Sequence, residues 1–411
     1  MRPIKPLRAK RSPARASSDE VDAGSSKKMP YSHGVTRNFR SNEIGISARR
    51  FPRSGQPAIE RRVTVPSLAE SPKVDPTHLV LAALKSQHDQ TLCAIREAHA
   101  KGEVRAAQTA LALSNAADRM IAGVLSLSRD AVTLRLGEEP GQCIILALGK
   151  LGGRELNFKS DLDLMLIYAV DEGCDPQAAS LFYEKVAQCF IRLMSNHEVG
   201  RIYDVDMRLR PYGADGPLAV SASAFERYYQ DACWTWELMA LTRGRVVAGN
   251  PGFGEGIEWA RNRALRHRLG LASRQILIDA AEMRRQMEAH FAEVSFWDVK
   301  RTPGGLIDLE FLAQALQLCA GTARCDEIFG AVPAALGGLA DDAILPTDVA
   351  DLLSRAWRYQ FAVLMAQSAQ SVGATAPEGL DVSAEALQGM QRAVRDVFQR
   401  RVSGGPLAHA A

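Results

Sequence analysis

The sequence predicts a small α/β domain over residues 77–250 followed by an all-α bundle over 255–402. Three observations carry this reading. Two short runs, the apolar Cys143–Leu148 and Asp161–Tyr168, apolar on both faces beyond its first three positions, have the length and composition of buried strands. Helical stretches flank both, which is how α/β layers are built. Beyond residue 250 the apolar positions recur only at helical spacings. The 411 residues, 46% of them hydrophobic, leave room for two to three domains with a real core.

Residues 1–76 lack a sustained apolar period and are rich in Arg, Ser, Pro and Gly, so a disordered basic arm is expected there. Residues 1–75 hold 16 Lys and Arg against 7 Asp and Glu, a net +9, leaving 34 against 40, or −6, for residues 76–411. The basic character therefore belongs to the arm, where polyanion contact and a transit peptide are alternative readings. Asp19, Glu20 and Asp22 argue against the transit peptide. No 18-residue apolar run or secretory core is found, so no membrane span is expected. Seven scattered cysteines without a C-x-x-C pair disfavour disulfide or zinc frameworks and suit reduced thiols in the cytoplasm.

Residues 77–133, with few breakers, predict two or three helices. After the first strand, Gly149-Lys-Leu-Gly-Gly153 predicts a tight turn. Residues 178–195 have helical spacing, and Tyr203–Arg210 alternates polar and apolar residues as a half-buried strand does. Residues 222–248 read as one long helix, broken at Asn250-Pro-Gly. Ile276, Ala280, Met283, Met287 and Phe291 lie on one helical stripe, and Pro303-Gly-Gly305 opens another helix. Residues 346–367 and 383–402 predict two more, and 403–411 a flexible tail.

The chemistry gathers around Asp161 and Asp163. Two residues apart at a strand's start, their carboxylates share a face and can hold a divalent cation, although a solvated strand end would present the same pair. The preceding glycines let backbone N–H groups approach phosphate oxygens, the alternative being a tight connection without a ligand. This is not a Walker loop, because Ile144 and Leu151 occupy positions where that pattern needs glycine and a hydroxyl residue. On the alternating strand, Asp204, Asp206, Arg208 and Arg210 would share one face, suited to metal and phosphate unless it is merely solvated.

Gly149-Lys-Leu-Gly-Gly-Arg-Glu-Leu-Asn-Phe-Lys-Ser-Asp-Leu-Asp-Leu164 resembles the signature of the bacterial glutamine synthetase adenylyltransferase/adenylyl-removing enzymes, which belong to the DNA polymerase beta-like nucleotidyltransferases. Tyr203–Pro211, Trp234-Thr-Trp-Glu237, Leu241–Val247 and Gly304–Phe311 agree in family order. The resemblance spans roughly residues 85–400. It implies a nucleotidyltransferase domain with a mixed sheet, two Mg²⁺ ions on Asp161, Asp163 and Asp206, and ATP contacts from the loop of Gly152, Gly153 and Ser160. Phosphate contacts from Arg208, Arg210, Arg243 and Arg245 are read from charge alone. Asp308 and Glu310 read as domain-interface residues.

The implied reaction moves AMP from ATP to a tyrosine hydroxyl of glutamine synthetase and releases pyrophosphate. Asp206 would accept the phenolic proton. Family members carry two catalytic halves, and this chain holds one set of motifs. Trp234–Glu237 and Leu241–Arg245 look like the adenylylating C-terminal half, whereas Glu155-Leu-Asn157 is closer to the removing half, which would use phosphate and form ADP. The arm stands where the removing half lies in the family, which leaves the PII signalling protein an open second partner. A non-catalytic scaffold and an RNA nucleotidyltransferase are the remaining readings. The acidic triad disfavours the scaffold, and the net acidic body without an aromatic stacking platform disfavours nucleic acid.

Overall fold

The computed structural model describes residues 76–403 apart from 197, 269–272, 292–293 and 321–329. The chain divides into Met1–Ala69 and Glu70–Ala411, and every described residue lies in the second unit. The expected arm, save Pro76, and the tail beyond Ser403 lie outside the described residues.

Two long helices, α1 (Pro76–Ala100) and α2 (Ala106–Leu136), lead into β1 (Gly141–Ala147), the one-turn α3 (Gly149–Gly152) and β2 (Leu162–Val170). α4 (Pro176–Met194) begins where Asp175 accepts hydrogen bonds from Gln177 N (3.1 Å) and Ala178 N (3.2 Å), with proline at the first helical position. Two short strands follow, β3 (Val205–Asp206) and β4 (Ala219–Ser221), then α5 (Ala222–Arg227), a π turn over Tyr228–Ala232, α6 (Thr235–Leu241) and β5 (Arg245–Gly249).

The sheet is mixed. β1 is antiparallel to β2 and β5, while β3 and β4 pair in parallel with β2. Ile144 to Ala147 are all fully buried. Successive strand residues point to opposite faces, so both faces of β1 are covered. α2 packs on α4 and β5, and α5 and α7 (Pro251–Arg268) pack on each other and on β2 and β1.

Three sequence expectations are corrected here. Residues 222–248 are not one helix. Cys233 and Trp234 leave the helical region of backbone space, and Val246-Val247-Ala248 closes the sheet against β1. Asn250-Pro-Gly starts a helix, because Asn250 Oδ1 accepts from Phe253 N at 3.0 Å. α7 then packs on β1 and β5, which carries the sheet's layer past residue 250.

The remaining helices are α8 (Ser273–His290), α9 (Leu306–Cys319), α10 (Val332–Asp341), α11 (Thr347–Gln370) and α12 (Ala384–Phe398). α9 is their hub, touching α8, α10, α11 and α12, with Leu309, Leu312, Ala315 and Leu316 fully buried. Helix after helix thus buries an apolar stripe against α9. α6 packs on α8 and α9, and α2 on α11, so bundle and sheet layers share one core.

Candidate functional site

β1 ends in a turn that exists for steric reasons. Leu148 N donates to Asp163 O at 2.9 Å, and Gly149 then adopts φ +51. A β-carbon on Gly149 would lie 2.0 Å from Asp163 Oδ2, so glycine lets the chain pass without displacing this carboxylate. On β2, Asp163 stands opposite Asp206 in the parallel register, and Asp161, exposed, lies just before the strand. The three expected acidic residues therefore lie near one end of the sheet.

Their electrostatics show the proximity. Burial above all, then the charges of Asp161 and Asp206, push the Asp163 carboxyl up to about 6, against opposing influences from Lys150 and Lys300. Asp206 shifts the other way. The Arg208 guanidinium grips its carboxylate through Nε (2.9 and 3.0 Å) and Nη2 and holds it below the usual carboxylate range. That pairing occupies the Asp206 carboxylate, although the Arg208 side chain is 76% exposed.

The residues expected at phosphate have other work. Gly152 is buried, and a β-carbon there would come within 2.0 Å of Arg243 O, while one on Gly153 would strike the Arg243 guanidinium at 2.2 Å. The Gly152–Gly153 pair is thus the bed on which Arg243 lies. Ser160 Oγ accepts from Asn157 N at 3.0 Å and closes the turn ahead of Asp161.

The expected strand Tyr203–Arg210 shortens to Val205–Asp206, so Asp204, Asp206, Arg208 and Arg210 do not share a strand face. Arg210 is buried and donates to the carbonyls of Met207, Gly216 and Pro217 at 2.7 Å each, pinning the 207–217 turn rather than facing phosphate. Arg245 binds Asp118 at 2.8 and 3.0 Å and Leu151 O at 3.1 Å, again a structural use.

Arg243 belongs to a buried network. It pairs with Glu155, whose other oxygen accepts from Val332 N at 2.8 Å, and lies 3.5 Å from Glu310 on α9. Glu310 thus bridges bundle and sheet as expected. Asp308 serves inside the bundle instead, fully buried against Arg284 and accepting from Gly304 N at 2.6 Å. Sequence reasoning missed Gly149, Lys150, Glu155 and Lys300 as site neighbours. A glycine directly after a buried strand was the available signal for the first; the ion pair that holds Glu155 against Arg243 spans 88 positions and leaves no local trace.

Among the described residues, no three His, Cys, Asp or Glu side chains already converge as a ligand cluster. The fit to a cation rests instead on Asp163, whose proton affinity is raised by burial first and then by the charges of Asp161 and Asp206, a repulsion that a divalent ion beside it would relieve.

Comparison with known proteins agrees with this geometry. The family model for glutamate-ammonia ligase adenylyltransferase matches residues 47–259, just over half of the chain. The chain belongs to this adenylyltransferase family. The match covers every acidic residue of the site and the Trp234–Glu237 motif. That motif's structural part is clear: Glu237 accepts from Trp234 N at 2.8 Å and from Tyr228 Oη at 2.7 Å, capping α6. A second model, for the GlnD PII-uridylyltransferase, matches residues 272–367 in the bundle.

Relatives within the adenylyltransferase family include bifunctional glutamine synthetase adenylyltransferase/adenylyl-removing enzymes. The one from Caulobacter vibrioides is 39% identical over 285 residues, covering 67% of this chain and 28% of the relative. That from Bradyrhizobium diazoefficiens is 35% identical over 265 residues, covering 62% and 26%. The chain thus spans roughly a quarter of these relatives' length.

Proposed function

We propose that this chain transfers AMP from ATP to a tyrosine hydroxyl of glutamine synthetase and releases pyrophosphate, as the single, adenylylating type of catalytic half. The observation that carries the reading is the parallel register that sets Asp206 opposite Asp163, beside Asp161 and the glycine turn. Family membership and the relatives' names support the substrate.

In this reading Asp161, Asp163 and Asp206 hold Mg²⁺. When bound, the metal neutralises the phosphates and lowers the cost of ionising a phenol whose ordinary pKa is about 10. The chain's own residues do the rest. Gly149 gives the α-phosphate room against Asp163, the Asn157–Ser160 turn presents Asp161, and Asp206 takes the phenolic proton once Arg208 releases it. The site needs the bundle as well as the sheet, so we read residues 77–250 as the core of the catalytic domain and 255–402 as its helical partner, working together in the cytoplasm. PII remains a further partner only by analogy with the family.

Removal of AMP is the second reading, since the relatives' names include it. Glu155, which pointed that way in sequence, is 4% exposed and spent on Arg243 and Val332, so it does not decide the direction. Incubating the chain with α-labelled ATP, Mg²⁺ and glutamine synthetase should label the synthetase. Asp161→Ala should cut the rate roughly 100-fold or more, since even outer-shell partners of a metal cost 10–100-fold. Failure to label, together with ADP formed from adenylylated synthetase and phosphate, would reverse the assignment.

A further inference from the structure

Asp161 is exposed and lies just ahead of β2, whose pairing with β3 begins at Leu162. The turn before it is fixed from within: Ser160 N donates to Asn157 O at 3.1 Å, and Lys159 N to Asn157 Oδ1 at 2.9 Å. Such local bonds set the shape of a turn but not where it sits on the rest of the molecule. Phe158, half-buried in this turn, makes that attachment.

Two helices far apart in sequence hold it. From α1, the Arg96 guanidinium lies over the Phe158 ring, 4.4 Å from its centroid, and the His99 ring stands 5.9 Å away at 51°. From α11, the Ser368 hydroxyl accepts from Phe158 N at 3.4 Å while donating to Met365 O at 2.7 Å. The two helices are joined at the same point, because Arg96 Nη1 donates to Ala369 O at 2.6 Å. That carbonyl belongs to the last turn of α11, where carbonyls lack a partner within the helix. A planar guanidinium can do both at once, stacking by its face and donating from its edge. Arg96 thus closes a clasp in which elements 273 positions apart at this contact hold one side chain.

We propose that this clasp positions Asp161: α1 and α11 place Phe158, and Phe158 sets the turn from which the Asp161 carboxylate reaches the cation. The proposal rests on the reading of Asp161 as a metal ligand and deepens it, since the aim of that carboxylate then depends on the helices as well as on the sheet. Asp163 and Asp206 are fixed by the strands that carry them, which pair directly; Asp161 lies outside that pairing. A ligand that spends only part of its time in the productive orientation weakens the apparent affinity by that fraction, so freeing the turn weakens cation binding without removing a ligand.

The test titrates Mn²⁺, standing in for Mg²⁺, with the full chain while free Mn²⁺ is followed by electron paramagnetic resonance, alongside amide hydrogen exchange resolved by peptide. Arg96→Met keeps the aliphatic stem but loses the cation and the bond to Ala369 O. It should bind Mn²⁺ about tenfold more weakly. A peptide covering residues 156–162 should exchange faster in this variant, while one covering β1 is unchanged. Phe158→Leu should behave alike. Phe158→Tyr, which keeps the ring, should bind as the wild type does, and Arg96→Lys, which keeps the charge but not the plane, should recover only part of the affinity. Wild-type Mn²⁺ affinity in both Arg96→Met and Phe158→Leu overturns the proposal, and faster exchange with that affinity intact does so too, by marking the clasp as structural alone. Mn²⁺ binding that survives Asp161→Ala brings down the metal reading of Asp161 itself, and the proposal with it.

Discussion

A single missing carbon decides the geometry at Gly149. An alanine there meets Asp163 Oδ2 and also bears the strain of φ +51, whereas Gly102, at φ +70, has nothing within 4 Å of its missing β-carbon. Both Gly→Ala changes should therefore cost about 1–2 kcal/mol from backbone strain. Only Gly149→Ala should also move the carboxylate, and with it at least about tenfold in the Mg²⁺ concentration needed for half-maximal AMP transfer. Equal Mg²⁺ dependence in the two variants would show that the contact with Asp163 is without consequence. At this scale charge alone misleads. Arg208, Arg210, Arg243 and Arg245 look equally suited to phosphate in the sequence, yet each is taken by a carboxylate or a set of carbonyls.

Elements meet through the Arg243 network, and its energetics follow from burial. Arg243→Met leaves Glu155 in the seam without its cation, at a cost of about 3–5 kcal/mol. Burial, the largest influence on Glu155, already raises its proton affinity, and the variant loses the opposing effect of Arg243. The folded variant then binds a proton that the unfolded chain has released, so its stability falls as pH rises above the ordinary 4.5. Denaturant titrations should find the defect larger near pH 8 than near pH 5 and reduced by adding Glu155→Gln; a pH-independent defect would contradict this account.

The same elements show what a sequence can convey. β1 and β2 were legible because both faces of each are apolar, and α9 because its stripe follows Gly-Gly305. Tyr203–Arg210 alternates like a strand but stops pairing after Asp206, and β4 takes over the same edge of β2 from Leu166 to Tyr168. β5 was hidden in a helical reading since its partner, β1, lies about 100 residues earlier and nothing local announces the pairing. The triad was legible from the D-x-D spacing and the family motif, while the seam that carries Glu155, Arg243 and Lys300 exists only in the folded chain.

For the molecule as a whole, the acidic site sets stability against function. Without metal, Asp163 keeps its proton up to about 6, above the ordinary 3.8. The folded state binds that proton more tightly than the unfolded chain does, so this group's contribution is greatest in acid and is lost as pH rises from 3.8 through about 6. Two pH units at 1.36 kcal/mol each put the loss at up to about 3 kcal/mol. Mg²⁺ should return it, because the metal needs the ionised carboxylate and binds only the folded arrangement. Thermal melts should therefore show Mg²⁺ raising the melting temperature near pH 7.5 and scarcely near pH 5, where the proton competes. Asp163→Asn should be more stable than the wild type near pH 7.5 without metal, and Mg²⁺ should leave its melting temperature unmoved. A wild type that Mg²⁺ stabilises equally at both pH values would place the metal away from Asp163, and a variant that still responds would do the same. The expected pattern would mean that the metal-free fold bears the cost of an ionised, partly buried Asp163 beside other carboxylates, which the cation relieves as it prepares the site for the triphosphate.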